Sequence, residues 1–460
     1  MSGLSREVSV RCADMSPPPL KSSSPESVWE VLFVAGFGLV LGISLLKFGN
    51  PIVLNDAVIA PQNRIEFIIQ PWPVEWGYVL LAGLVGLGLK VGKFQTAAPT
   101  WIVALPAAWF GWQLLSGAQS IRPDLTRATL LHFGACVACF YLGVFALAKV
   151  ERLRLFWLFL GTSLAVVLVQ GWQQHFGGLE ETRKYVLEQM ADKPISPQFL
   201  AKIQSNRIFS TLVYPNALAG VIILLLPAVV GAAWFGGREL PPTVRVGLAA
   251  GLAAAGVACL YWTGSKGGWL IAVVMLLVAL GRTRVSPRVK LGVAVAVAML
   301  GLVGFGLRFQ GYFAKGATSV GARFEYWRAA AKTFLANPIL GTGPGTFSAA
   351  YQRIKPPEAE MARLAHNDFL QQASDSGVVG AVAFAAFFLV SIVLLYRNSF
   401  VRDSLFAFLV WLGLAGWALQ SCLEFGLYVP AIAWPGFVLF GWLWGKSAEG
   451  NQIDTPATAR

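Results

Sequence analysis

Four segments in the second half of the chain hold most of its chemically capable side chains. Thr263–Trp269 reads TGSKGGW, Gly321–Asn337 reads GARFEYWRAAAKTFLAN, Gly341–Phe347 reads GTGPGTF and Ala365–Gly377 reads AHNDFLQQASDSG. His366 stands in the last of these, directly before Asn367 and Asp368. An imidazole titrates near neutrality and can take a proton from an attacking hydroxyl, and two polar neighbours could orient it. Arg323, Lys266 and, further upstream, Arg207 are fixed cations able to hold an anionic group. Each also has a plainer reading. The histidine could cap a helix, Arg323 could snorkel to lipid headgroups, Lys266 could anchor an interface and Arg207 could be structural. Arg323, Tyr326, Trp327 and Ala330 share one helical face at i, i+3, i+4, i+7 spacing. That pattern predicts an amphipathic helix at the membrane surface, ending before Asn337-Pro338.

Other motifs carry less. Gly341, Gly343 and Gly345 are not followed by the Gly-Lys-Ser/Thr of a phosphate loop, nor preceded by the strand of a dinucleotide fold, so a tight re-entrant loop is expected. Cys136 and Cys139 are one turn apart inside an apolar run and read as packing residues, not as a zinc or redox pair. His132 reads as an interface residue, and His175 opens a loop that could line a cleft. Glu424, between the last two apolar runs, divides evenly between a functional acid and a solvated charge.

The elements that must position these residues follow from composition. The chain has 460 residues, is 56% hydrophobic and only 13% charged, with mean hydropathy +0.61. A soluble domain carries about 25% charge, so this chain cannot cover a water-facing surface of its size. An ordinary soluble enzyme, a disordered protein and a free nucleic-acid binder are excluded. A membrane-spanning helix needs roughly 20 apolar residues. Apolar runs occur at 29–49, 74–92, 99–116, 128–149, 154–172, 214–236, 245–263, 267–281, 289–308, 377–396, 401–421 and 427–445. The expected fold is all-α, a polytopic bundle of about twelve spans. Alternate short connections hold the cations Lys90, Lys93, Lys149, Arg152, Arg154, Arg238, Arg245, Arg282, Arg284, Arg288, Lys290, Arg397 and Arg402. The positive-inside rule puts those connections and both termini in the cytoplasm. Two long loops, 173–213 and 309–376, then lie outside. The expected organisation is a polar, disordered tail at 1–28, N-terminal helices and the first long loop at 29–206, a core at 207–396, C-terminal helices at 397–445 and a tail at 446–460. The formal net charge of +13 is read as cytoplasmic loops facing anionic lipid, not as a nucleic-acid surface.

Arg323 and Trp327, then NPILGTGPGTF, then AHNDFL and DSG, resemble the signature of the O-antigen ligase superfamily, which includes O-antigen polymerases and bacterial protein O-oligosaccharyltransferases. Arg207–Pro227 (RIFSTLVYPNALAGVIILLLP) and TGSKGGW are similar to that family's central segments, the latter usually written with Ser-Arg-Gly. The resemblance covers roughly Arg207 to Gly380. It implies a GT-C-like membrane glycosyltransferase that needs no metal or other cofactor. The enzyme would sit in a bacterial inner membrane and take a glycan from an undecaprenyl-diphosphate carrier on the periplasmic face. The acceptor would be a hydroxyl of a lipid A core, of another glycan or of a protein. By this resemblance His366 is the catalytic residue, with Asn367, Asp368 and Trp327 in support. Arg323 and Lys266 hold the diphosphate, with Arg207 sharing the work. Lys266 departs from the family arginine: it keeps the charge but loses the planar fork that grips phosphate at two points. A secondary transporter and a lipid-carrier flippase remain the readings of a different class. Against the transporter stand the absence of a repeat between halves and of ionisable groups deep in spans.

Overall fold

The structure, a computed structural model, describes residues 27–189, 204–314, 318–357 and 359–453. The expected tail 1–28 and the middle of the first long loop lie largely outside these residues. The described residues are helical, without strands.

Each of the twelve apolar runs folds as helix, the run 401–421 divided at Ser404 between Ser399–Asp403 and Leu405–Gln420, because a continuous apolar run satisfies its own backbone that way in lipid. Eight helices among the described residues are long and apolar enough to cross a membrane: Val28–Lys47, Val74–Val91, Pro123–Lys149, Arg154–Lys184, Pro215–Gly236, Pro242–Trp262, Pro287–Gly311 and Asp368–Arg397. The expected count of about twelve is therefore not confirmed. Leu405–Gln420 is apolar but shorter. Lys266–Arg282 has 17 residues, and Thr100–Gly117 carries Gln113 and several tryptophans that lower its hydropathy. The twelfth run lies in Pro430–Ile453, which continues as helix into the expected tail at 446–460.

Small residues let the helices approach. Pro430–Ile453 lies along Pro123–Phe145, and Val28–Lys47 along Arg154–Gln173. At the first crossing a Cβ on Gly441 would stand 2.1 Å from the Phe140 carbonyl oxygen, so backbone meets backbone there. Leu405–Gln420 and Pro242–Trp262 both pack on Pro215–Gly236.

The second long loop is itself built of helices. Pro287–Ala314 runs past the expected end at 308, Thr318–Ala336 follows, and the next span starts early, at Asp368. The amphipathic face of Thr318–Ala336 packs on protein: Tyr326, Ala329 and Ala330 bury against Phe347, Tyr351, Ala362 and Ala365 in a small second core. Asp368–Ala385 kinks at Ser376 and Gly377, where Gly377 takes φ +67°. The GTGPGTF loop nests against this kink. Gly343 N donates to Asp375 O at 2.8 Å, and Val378 N donates to Pro338 O at 2.8 Å.

Candidate active site

The ends of several helices meet at one side of the bundle. Pro215–Gly236, Lys266–Arg282 and Asp368–Ala385 begin there, and Pro242–Trp262, Pro287–Ala314 and Leu405–Gln420 finish there. The opposite side carries the cation-rich short connections. Chain alternation alone therefore brings residues from six helices to one rim.

His366 is centred in that rim. It precedes the Asn367 N-cap and adopts φ +52°, a left-handed conformation uncommon for a residue with a Cβ. Tight tethers at the next two residues hold it there. Asn367 Nδ2 donates to Cys422 O at 2.9 Å, and Asn367 Oδ1 accepts from Leu370 N at 3.0 Å. Asp368 is fully buried. Its N–H donates to Ser421 O at 2.7 Å, and its Oδ2 accepts from Leu427 N at 3.1 Å. These two residues clamp the backbone to the turn between the last two helices. Their hydrogen bonds go to backbone and not to the imidazole, so any orienting effect on His366 acts through the main chain.

The ring's partner is Glu424, whose Oε2 lies 3.1 Å from His366 Nδ1. Tyr326 stacks on the ring at 5.8 Å between centroids, and Phe425 meets it edge-on at 4.7 Å. Trp327 Nε1 donates to the His366 carbonyl at 3.3 Å. The helical face carrying Tyr326 and Trp327 thus walls the histidine.

Glu424 is a buried hub. Its Oε1 also accepts from Asn216 Nδ2 at 2.6 Å and from the Arg323 guanidinium. Arg323 Nε donates to Leu423 O at 3.2 Å. Burial pushes the Glu424 carboxyl up, but His366 and Arg323 outweigh it and hold it below the usual carboxylate range. An ionised carboxylate only accepts, so His366 Nδ1 carries the proton in this pair, and the lone pair of the neutral ring then falls on Nε2.

Arg207 joins through the other side of Asn216. Its Nη2 donates to Asn216 Oδ1 at 2.7 Å, and its Nε donates to Thr263 O at 2.6 Å. That carbonyl belongs to the TGSKGGW turn, where Gly264 takes φ +58° and a Cβ would stand 3.3 Å from the Arg207 side chain. Burial lowers the basicity of Arg207; Glu424 raises it, and Arg323 and Arg308 lower it again. Ser265 caps the next helix by accepting from Gly268 N at 3.2 Å, and Lys266 follows, just outside the apolar run 267–281. Burial brings the Lys266 ammonium down to about 8, with Arg207, Arg323 and Arg308 adding to the effect.

The structure therefore joins His366, Arg323 and Arg207 through one carboxylate and one amide, with Lys266 within their field. Sequence reasoning left Glu424 undecided and missed Asn216 and Arg308. The available signals were an acid between two apolar runs, and an arginine at the end of one. His175 stacks on Trp262 at 4.0 Å, as part of an aromatic group with Trp172 and Phe176. His132 is fully buried with Nε2 2.7 Å from Leu427 O, which corrects its reading as an interface residue. His132 stands well inside Pro123–Phe145, past its exposed first turn, and faces the turn that ends at Tyr428. Cys136 and Cys139 are buried free thiols. Among the described residues no three His, Cys, Asp or Glu side chains gather as a metal centre requires. The backbone of the GTGPGTF loop is engaged with its own chain: Gly345 N donates to Asp375 Oδ2 at 2.8 Å, which also accepts from Gln371 Nε2 at 2.8 Å and Tyr428 OH at 3.2 Å.

Residues 248–385 match the family model described as O-Antigen ligase. The matched stretch contains Lys266, Arg323 and His366, and leaves Arg207, Asn216 and Glu424 outside. No curated protein matches the chain. The chain thus carries an O-antigen ligase domain within a multi-pass membrane protein. Such a domain marks a ligase- or glycosyltransferase-type enzyme working on a lipid-linked glycan donor and a glycan acceptor in a membrane.

Proposed function

We propose that this protein transfers a glycan from undecaprenyl diphosphate to an acceptor hydroxyl, on the periplasmic face of a bacterial inner membrane, with a lipid A core sugar as acceptor. The observation that carries the reading is the Arg323–Glu424–His366 cluster at the rim opposite the cation-rich connections.

His366 Nε2 takes the proton of the acceptor hydroxyl as its oxygen attacks the anomeric carbon. The bond from that carbon to the diphosphate oxygen breaks, and its electron pair leaves with the diphosphate. Glu424 keeps Nδ1 protonated and steadies the imidazolium that forms, the role a carboxylate plays in other His-centred sites. Arg323, Arg207 and Lys266 stabilise the charge growing on the leaving group. Direct attack inverts the anomeric centre. Glu424 also keeps Arg323 in position, so one carboxylate couples base and leaving-group site.

The test is glycan transfer in proteoliposomes from an undecaprenyl-diphosphate-linked donor to lipid A core. His366→Ala is expected to lower kcat by about a hundredfold or more while donor binding holds. Equal transfer by His366→Ala and wild type, or retention of anomeric configuration, would overturn the reading. Gene deletion reads the acceptor: loss of polymer on lipid A supports the ligase assignment. Loss of chain length alone points to polymerisation, and loss of glycoprotein alone to protein glycosylation.

A further inference from the structure

Phe309 is buried near the end of Pro287–Ala314, and two cations lie against its ring. Lys266 Nζ stands 5.2 Å from the ring centroid and Arg308 Cζ stands 5.5 Å from it. Arg308 also lies 5.0 Å over the ring of Tyr261. The arrangement follows from packing: Lys266–Arg282 lies beside Pro287–Ala314, so the start of one helix meets the end of the other. Arg207 and Lys266 both feel the charge of Arg308. A cation at the end of an apolar helix normally extends away from like charge toward water or headgroups. Here two aromatic rings hold the guanidinium beside other cations, and an anion sharing the space would relieve their mutual repulsion.

We propose that Arg308 is a further binding residue for the diphosphate of the lipid-linked donor, supplying next to Lys266 the two-point phosphate grip that a lysine cannot make. The proposal rests on the donor reading above. An ammonium is a point charge, whereas a guanidinium presents a planar fork matched to phosphate oxygens. Lys266 offers no such fork; Arg308 supplies one from the neighbouring helix, and Tyr261 and Phe309 hold it there.

The test measures binding of undecaprenyl diphosphate and undecaprenyl monophosphate to the full chain in phosphatidylcholine nanodiscs, where no anionic headgroup competes. Wild type is expected to prefer the diphosphate. Arg308→Gln should weaken diphosphate binding about tenfold and narrow that preference. Lys266→Arg added to Arg308→Gln should recover most of the loss. Arg328→Gln, which removes an exposed cation from Thr318–Ala336, should leave both affinities unchanged. If Arg308→Gln keeps wild-type affinity and preference, the Arg308 proposal fails and the donor reading stands. If wild type shows no preference for the diphosphate, the donor reading fails and takes this proposal with it. An equal loss in Arg328→Gln would trace the effect to overall charge and overturn the site. Should Arg308→Gln not yield folded protein, Arg308→Lys decides: a loss of about threefold or more supports the lost fork, and no loss overturns it.

Discussion

Glu424 Oε2 lies 3.1 Å from His366 Nδ1, although the two residues are 58 positions apart. A whole kinked helix and another after it separate them in the chain. The pair forms because both residues stand in turns at the same rim, locked together by Asn367 to Cys422 and by Asp368 to Ser421 and Leu427. From the Glu424 carboxylate the rest of the site is reached through Arg323 and Asn216.

Glu424→Gln keeps the shape of this hub and removes its charge. The amide can no longer impose the Nδ1–H form on His366, nor stabilise its imidazolium. In the transfer assay kcat should fall about a hundredfold, with a smaller rise in the donor KM. A change confined to KM would mean that Glu424 serves only to hold Arg323.

Acid stability should report the same carboxylate. The folded-state value for Glu424 is held below the ordinary range, so its stabilising contribution is complete above that range. The contribution is lost as pH falls through the folded value. In detergent, the melting-temperature gap between wild type and Glu424→Gln should hold above the ordinary carboxylate range and shrink progressively as pH falls below it. A gap that widens on acidification contradicts an ionised, paired Glu424.

Lys266 predicts an alkaline effect. With its ammonium brought down to about 8, it is charged below that pH and increasingly neutral above it. An anionic donor favours the charged form, so the donor KM should rise as pH passes through that value. Lys266→Arg should keep its charge and extend the low-KM plateau to higher pH. An identical alkaline rise in Lys266→Arg would assign the effect to another group.

Gly377 should tolerate no side chain. Its φ is +67°, and a Cβ there would stand 2.0 Å from the Ile339 carbonyl oxygen. Gly377→Ala should cost about 2 kcal/mol or more, by left-handed strain plus a backbone clash, and detach the GTGPGTF loop from the kink. Gly111→Ala, with nothing within 4 Å of the added atom, is the control and should be neutral or slightly stabilising. Thermal unfolding in detergent compares them. Equal melting points for the two variants would show that the kink is not anchored at Gly377.

The helices, their order and the rim they converge on were legible in the chain. An apolar run prefers helix in lipid because each residue adds its own transfer and hydrogen-bonding free energy, a sum over neighbours in sequence. The histidine and the cations were legible as residue types in loops between those runs. The count of about twelve spans is not confirmed, because Gln113, the tryptophans of Thr100–Gly117 and the short Lys266–Arg282 lower or interrupt that sum. Nor was it legible that Asn367 and Asp368 clamp backbone while Glu424 holds the imidazole, or that Arg308 meets Lys266 across Phe309. Those pairings depend on where helix ends finish relative to one another. Close packing of Gly441 on Phe140, and the left-handed turns at His366 and Gly377, set that alignment through contacts distant in sequence. A charge acts over a few ångströms of space, whatever its distance along the chain, so only the tertiary structure could decide which carboxylate meets which base.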